Sequence, residues 1–93
     1  MAKAVKKKVR KRATTGHFDY EDFYQKLSSR IKTLRKAKGF SSAENFAYDI
    51  EISRIGMGKY EAGNFTGIQM STLLKIIDGL EVTPSEFFSK GFD

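Results

Sequence analysis

The 93-residue sequence contains no cysteine, no tryptophan, a single proline and a single histidine. Without cysteine, neither a disulfide nor a thiolate metal site contributes to stability. A chain of this size buries only about 60% of the surface it exposes when unfolded, so packed apolar faces, or a partner, must hold it together. Long apolar runs are also missing. Short ones such as Ile76-Ile77 and Phe87-Phe88 fall far below the roughly 20 residues of a membrane-spanning helix. The basic N-terminus leads into no apolar core, so no secretory signal is expected. The expectation is a cytoplasmic, nucleoid-associated protein with no membrane partner.

Material for catalysis is equally scarce. Nucleophilic or acid–base chemistry needs positioned groups, whereas the lone histidine, His17, falls in a linker and the carboxylates are scattered. Asp49 and Glu51 complete no metal-ligand spacing. The stretch Gly56-Met57-Gly58-Lys59 lacks both the preceding strand and the Ser or Thr after the lysine that a phosphate loop requires. A non-enzyme without metal or cofactor is expected.

Positive charge is what the chain has in excess, with a formal net charge of +6. It is unevenly placed: Lys3, Lys6, Lys7, Lys8, Arg10, Lys11 and Arg12 all precede the first acid, and from Ala13 onward ten basic residues face eleven acidic ones. The body is therefore near-neutral. Residues 1–16 read as a flexible basic arm and linker, and 17–93 as one domain. Such runs are commonly solvated and disordered. The functional alternatives are a non-specific DNA arm formed by Lys6, Lys7, Lys8, Arg10, Lys11 and Arg12, or a contact for a membrane or other acidic partner.

Within the body, apolar residues at Tyr20, Phe23, Tyr24, Leu27, Ile31 and Leu34 recur at helical spacing, with acids near the start and Gly39 placed as a left-handed stop. A short helix follows from Ser42 to about Ile50. Its start is ambiguous, because Ser41 with Glu44 makes a capping box while Ser42 caps one residue later. Ser53 opens a third helix that directs Met57 and Tyr60 inward and stops at Gly63. Met70, Leu73, Leu74, Ile76, Ile77 and Leu80 form the stripe of a fourth. Thr83-Pro84-Ser85-Glu86 starts a fifth, combining a threonine cap, proline at the first position and a returning glutamate. No strand pattern is present. The predicted fold is an all-α, compact five-helix domain whose second and third helices form a tight corner.

Several fragments occur in a particular order: Arg30-Ile31-Lys32-Thr33-Leu34-Arg35, Lys38-Gly39-Phe40-Ser41, Phe46-Ala47, Ile52-Ser53-Arg54, Tyr60-Glu61-Ala62-Gly63 and Leu73-Leu74-Lys75-Ile76. Together they resemble the Cro/CI repressor type of helix-turn-helix domain, the XRE family, over about two-thirds of the chain. The resemblance implies a lambda-repressor-like fold whose third helix enters the major groove of double-stranded DNA. It implies base contacts from Arg54, Ile55 and Lys59, and backbone contacts from Ser42, Ala43 and Asn64. It also implies a mostly buried ion pair between Arg35 and Glu61.

Three departures from the family pattern stand out. One extra residue separates Gly39 from Phe46-Ala47. Glu51 stands where the turn commonly has glycine, requiring a side chain in a left-handed or altered conformation. Gly56 and Gly58 lie inside the recognition helix, each costing about 1 kcal/mol relative to alanine. Either their bareness lets the backbone approach DNA closely, or base readout has been lost.

The leading expectation is a sequence-specific transcriptional regulator that binds a palindromic operator as a homodimer. The alternative is an antitoxin-like or bridging interaction module with a partner protein such as a toxin; single-stranded RNA binding through the arm and exposed tyrosines is a third reading. Phe87, Phe88 and Phe92 serve either the core or a dimer surface. The resemblance does not separate a phage repressor, a restriction-modification controller and an antitoxin.

Overall fold

A computed structural model describes residues 19–93; the expected basic arm and His17 lie outside the described residues. The domain is all-helical, with five helices and no strand among the described residues: α1 (Tyr20–Lys38), α2 (Ala43–Asp49), α3 (Arg54–Ala62), α4 (Met70–Gly79) and α5 (Pro84–Phe87). This is the architecture expected from periodicity. None of these helices is long and apolar enough to cross a membrane.

The helix ends follow from local chemistry. Asp19 caps α1 by accepting from the backbone N–H groups of Glu21 and Asp22 at 2.9 and 3.2 Å. At its other end Gly39 is left-handed, with its N–H donating to Lys36 O and that of Phe40 to Arg35 O, the two bonds of a Schellman motif. Gly63 closes α3 in the same way. The ambiguity at α2 is resolved in favour of Ser42, whose hydroxyl oxygen accepts from Asn45 N at 3.1 Å. Ser53 and Thr83 cap α3 and α5.

The core is built from Leu27 and Ile31 of α1, Phe46 and Ala47 of α2, Met57 of α3, Leu73, Ile76 and Ile77 of α4, and Leu80 and Phe87 beyond. The expected α4 stripe is broader than the face that is buried. Leu73, Ile76, Ile77 and Leu80 are buried, at spacings of three, one and three, whereas Met70 and Leu74 lie on the flank at 66% and 49% exposure. One helix face cannot turn all six inward. The C-terminal aromatics divide similarly: Phe87 is fully buried, Phe92 is half-buried against it, and Phe88 is exposed. Arg30 anchors this end from α1, donating through Nε and Nη2 to the carbonyls of Phe87 and Glu86 at 2.7 and 2.8 Å.

Helices α2 and α3 pack together more extensively than any other pair among the described residues. Residues 50–53 join them, with Ile50 N donating to Phe46 O and Ile52 N to Ala47 O. Behind this turn α4 comes so close that a Cβ at Gly79 would overlap the Ile50 side chain. The turn itself contains Glu51 at φ +61°, in the left-handed region that costs an L-residue roughly 1–2 kcal/mol. Glu81, after α4, has the same conformation, but its carboxylate pairs with Lys38.

Replacing Glu51 with glycine should relieve the strain at the cost of some unfolded-state entropy, a net gain of about 0.5–1 kcal/mol. Thermal and urea unfolding should show a higher midpoint. Glu81→Gly should gain less, because it also removes an ion-pair partner; equal gains at the two sites would show that conformation alone decides.

Candidate nucleic-acid interface

The orientation of α3 sorts its residues by face. Met57 is fully buried, Tyr60 is half-buried against the core and Glu61 is buried. Arg54, Ile55, Gly58 and Lys59 are exposed, with Ile55 open over 70% of its surface. Positions 54, 55, 58 and 59 follow the one- and four-residue spacing of a single helix face. All three residues expected to meet bases thus share one solvent-facing surface.

The two glycines of α3 differ. Gly56 is partly buried, and a Cβ there would stand 3.8 Å from Ser53 Cβ, an ordinary contact. Gly58 is exposed on the outward face, with nothing within 4 Å of where its Cβ would be. Packing inside the protein therefore does not require glycine at 58. The helix is nevertheless continuous across both, held by the Ser53 cap, the buried Met57 and the ion pair of Glu61.

That ion pair connects Arg35, in the last turn of α1, to Glu61, in the last turn of α3. Arg35 Nε lies 2.7 Å from Glu61 Oε2 and Nη2 lies 3.1 Å from Oε1, a two-point contact. Its third nitrogen donates to the Phe40 carbonyl at 2.7 Å. The residues are only 5% and 7% exposed, so the charges are desolvated and engaged by one another. Nearby, the Ser28 hydroxyl lies between the carbonyls of Tyr24 and Tyr60, and joins the same two helices.

Ser42 and Ala43 form the cap and first residue of α2 and are half-buried. Asn64 is exposed immediately after α3, and its backbone N–H donates to Lys59 O at 3.0 Å. The loop carrying it is pinned by Phe65, whose ring packs against Tyr24 and Tyr60 at 5.1 and 5.2 Å. Gln25 adds a bond to the Gly63 carbonyl at 3.2 Å. The sequence carries no signal for these supports, because Tyr24 and Gln25 lie about 40 positions before the loop they hold and share no periodic pattern with it.

Glu44 is a functional candidate that sequence reasoning did not single out. Its Oε2 accepts from Arg54 Nη1 at 2.6 Å, although both side chains are largely exposed. The hydrogen bond, followed by the Coulomb attraction of the same carboxylate, raises the Arg54 pKa above its ordinary value. The arginine is cationic at any physiological pH in either case. No metal-binding cluster of His, Cys, Asp or Glu is present among the described residues.

Comparison with known proteins adds one relative. The chain is 35% identical over 68 residues to Control protein C.MunI of Mycoplasma sp, an alignment covering 73% of this chain and 90% of that protein. No family model matches the chain, and no solved structure matches it.

The Arg35–Glu61 geometry has a measurable consequence. Glu61→Leu or Arg35→Met should each destabilise the domain by about 3–5 kcal/mol, since each strands a buried charge. The double variant Arg35→Met/Glu61→Leu should recover much of that loss in urea unfolding. Additive losses in the double variant would mean that the two residues act independently.

Proposed function

Since the chain belongs to the control-protein family of C.MunI, we propose that it is a sequence-specific, double-stranded-DNA-binding transcriptional regulator that binds a palindromic operator as a homodimer. The observation supporting this most directly is the shared exposed face of Arg54, Ile55 and Lys59 on a helix whose opposite face is locked into the core. Arginine and lysine donate to guanine O6 and N7, and isoleucine packs on a thymine methyl. Gly58, bare on the same face, would let the helix backbone come close to the groove. Ser42, Ala43 and Asn64 are proposed to meet phosphates on either side.

Among the three settings left open by the resemblance, the control-protein relative favours the restriction-modification controller. Homodimerisation is supported by the apolar side chains of Met70 and Leu74, one helical turn apart and exposed on α4. A two-fold pair of these domains would place recognition helices about 34 Å apart, one turn of DNA. The arm from Lys6 to Arg12 is proposed to add non-specific phosphate contacts to a body that is itself near-neutral.

Selection of sites from a random duplex pool by the full-length protein, at near-physiological salt, should enrich a palindrome with half-sites about one helical turn apart. Arg54→Ala should relax preference at one base pair per half-site, by about 1–3 kcal/mol, while leaving the others in place. No enrichment would favour the interaction-module alternative. In a separate titration, removing residues 1–12 should reduce the slope of log affinity against log salt, by about 0.9 for each phosphate that the arm neutralises. An unchanged slope would show that the arm takes no part in binding.

A further inference from the structure

The ion pair between Glu44 and Arg54 has no evident structural task. It is exposed, and pairs of that kind add little to stability. The core beneath it is complete without either side chain. Yet it bridges the two helices of the helix-turn-helix, joining the first turn of α2 to the first residue of α3, and both backbones are fixed there by the Ser42 and Ser53 caps. The residue it restrains is the one proposed to read a base.

We infer that Glu44 is a positioning residue for Arg54 and thereby helps to set which base pair is read, an inference that rests on the proposed role of Arg54. A guanidinium is planar and carries five N–H donors in a fixed fork. Holding Nη1 2.6 Å from Glu44 Oε2 restrains the guanidinium and leaves four N–H donors, enough for a two-point contact with guanine O6 and N7. The arginine then arrives ordered, and less conformational freedom remains to be lost on binding. The carboxylate has a second effect. It stands beside the cation that opens α3 and disfavours placing Arg54 on a phosphate, where negative charges would come together. Glu44 thus lowers non-specific affinity and sharpens specific readout.

The test uses the full-length protein, the duplex site recovered by selection, that site with its Arg54-dependent base pair substituted, and a scrambled duplex. Glu44→Gln keeps the shape of the side chain and removes its charge. It should reduce discrimination between the selected and substituted sites about tenfold, a fraction of what a bidentate base contact supplies. It should also tighten binding to the scrambled duplex a few-fold. Glu44→Asp, which keeps the charge on a shorter stem, should lose discrimination without gaining affinity for the scrambled duplex. In an Arg54→Ala background, Glu44→Gln should change neither ratio. Unfolding midpoints close to that of the parent protein would establish that the variants are folded; a lower midpoint would move the comparison to a temperature at which both are native.

Unaltered discrimination in Glu44→Gln, while Arg54→Ala relaxes its base pair, would overturn the inference and leave the reading of Arg54 intact. Relaxation at a different base pair would also overturn it, by making Glu44 a base reader in its own right. If Arg54→Ala relaxes no position, the role proposed for Arg54 fails, and this inference with it.

Discussion

The buried contact between Arg35 and Glu61 is the constraint on which the outward face of α3 depends. The carboxylate stands in the last turn of its helix, where the helix dipole disfavours negative charge, and the guanidinium stands in the last turn of α1, where positive charge is favoured. Two-point hydrogen bonding acts against both the dipole and the desolvation. Because the contact is bidentate, it sets an angle as well as a distance. The third guanidinium nitrogen binds the Phe40 carbonyl, so the same residue also holds the chain as it leaves α1 for α2. One arginine therefore ties together the long helix, the entry to the helix-turn-helix and the end of its second helix.

Apolar packing provides what this contact alone could not. Met57 enters the core one turn before Glu61, and Phe46 and Ala47 of α2 close around it. Phe65 wedges against Tyr24 and Tyr60 from the far side. Helix α3 is intrinsically weak because of Gly56 and Gly58, and its order comes from these tertiary contacts and from its two caps. Local propensity and global structure disagree here, and that disagreement falls on the surface proposed to contact DNA.

Much of the architecture could be read from the chain because its signals are local. Caps at Ser53 and Thr83, left-handed stops at Gly39 and Gly63 and the three-to-four spacing in α1 each depend on neighbours within a few residues. Where two local signals competed, at Ser41 and Ser42, only the folded backbone decided. The α4 stripe shows a second limit: hydrophobic residues on adjacent positions give a broad arc, and the width of the facing groove selects which of them are buried. The meeting of Glu44 with Arg54 had no sequence signal at all, since it depends on how two helices are turned relative to one another. The resemblance named individual positions for DNA contact, but could not say which neighbours hold them.

The sparse outward face of α3 has a consequence for information. Three side chains and a bare glycine can distinguish only a few base pairs, each contact contributing about 1–3 kcal/mol. A genome offers on the order of a million or more competing positions, and a short word recurs among them many times by chance. On the proposed reading, a single copy of this domain therefore addresses a class of sites, and symmetric repetition of the word at a set spacing is what makes an address rare. Selectivity would then reside as much in the distance between two short words as in the letters of either, so that inserting a base pair between half-sites would be as disruptive as changing one of the letters read.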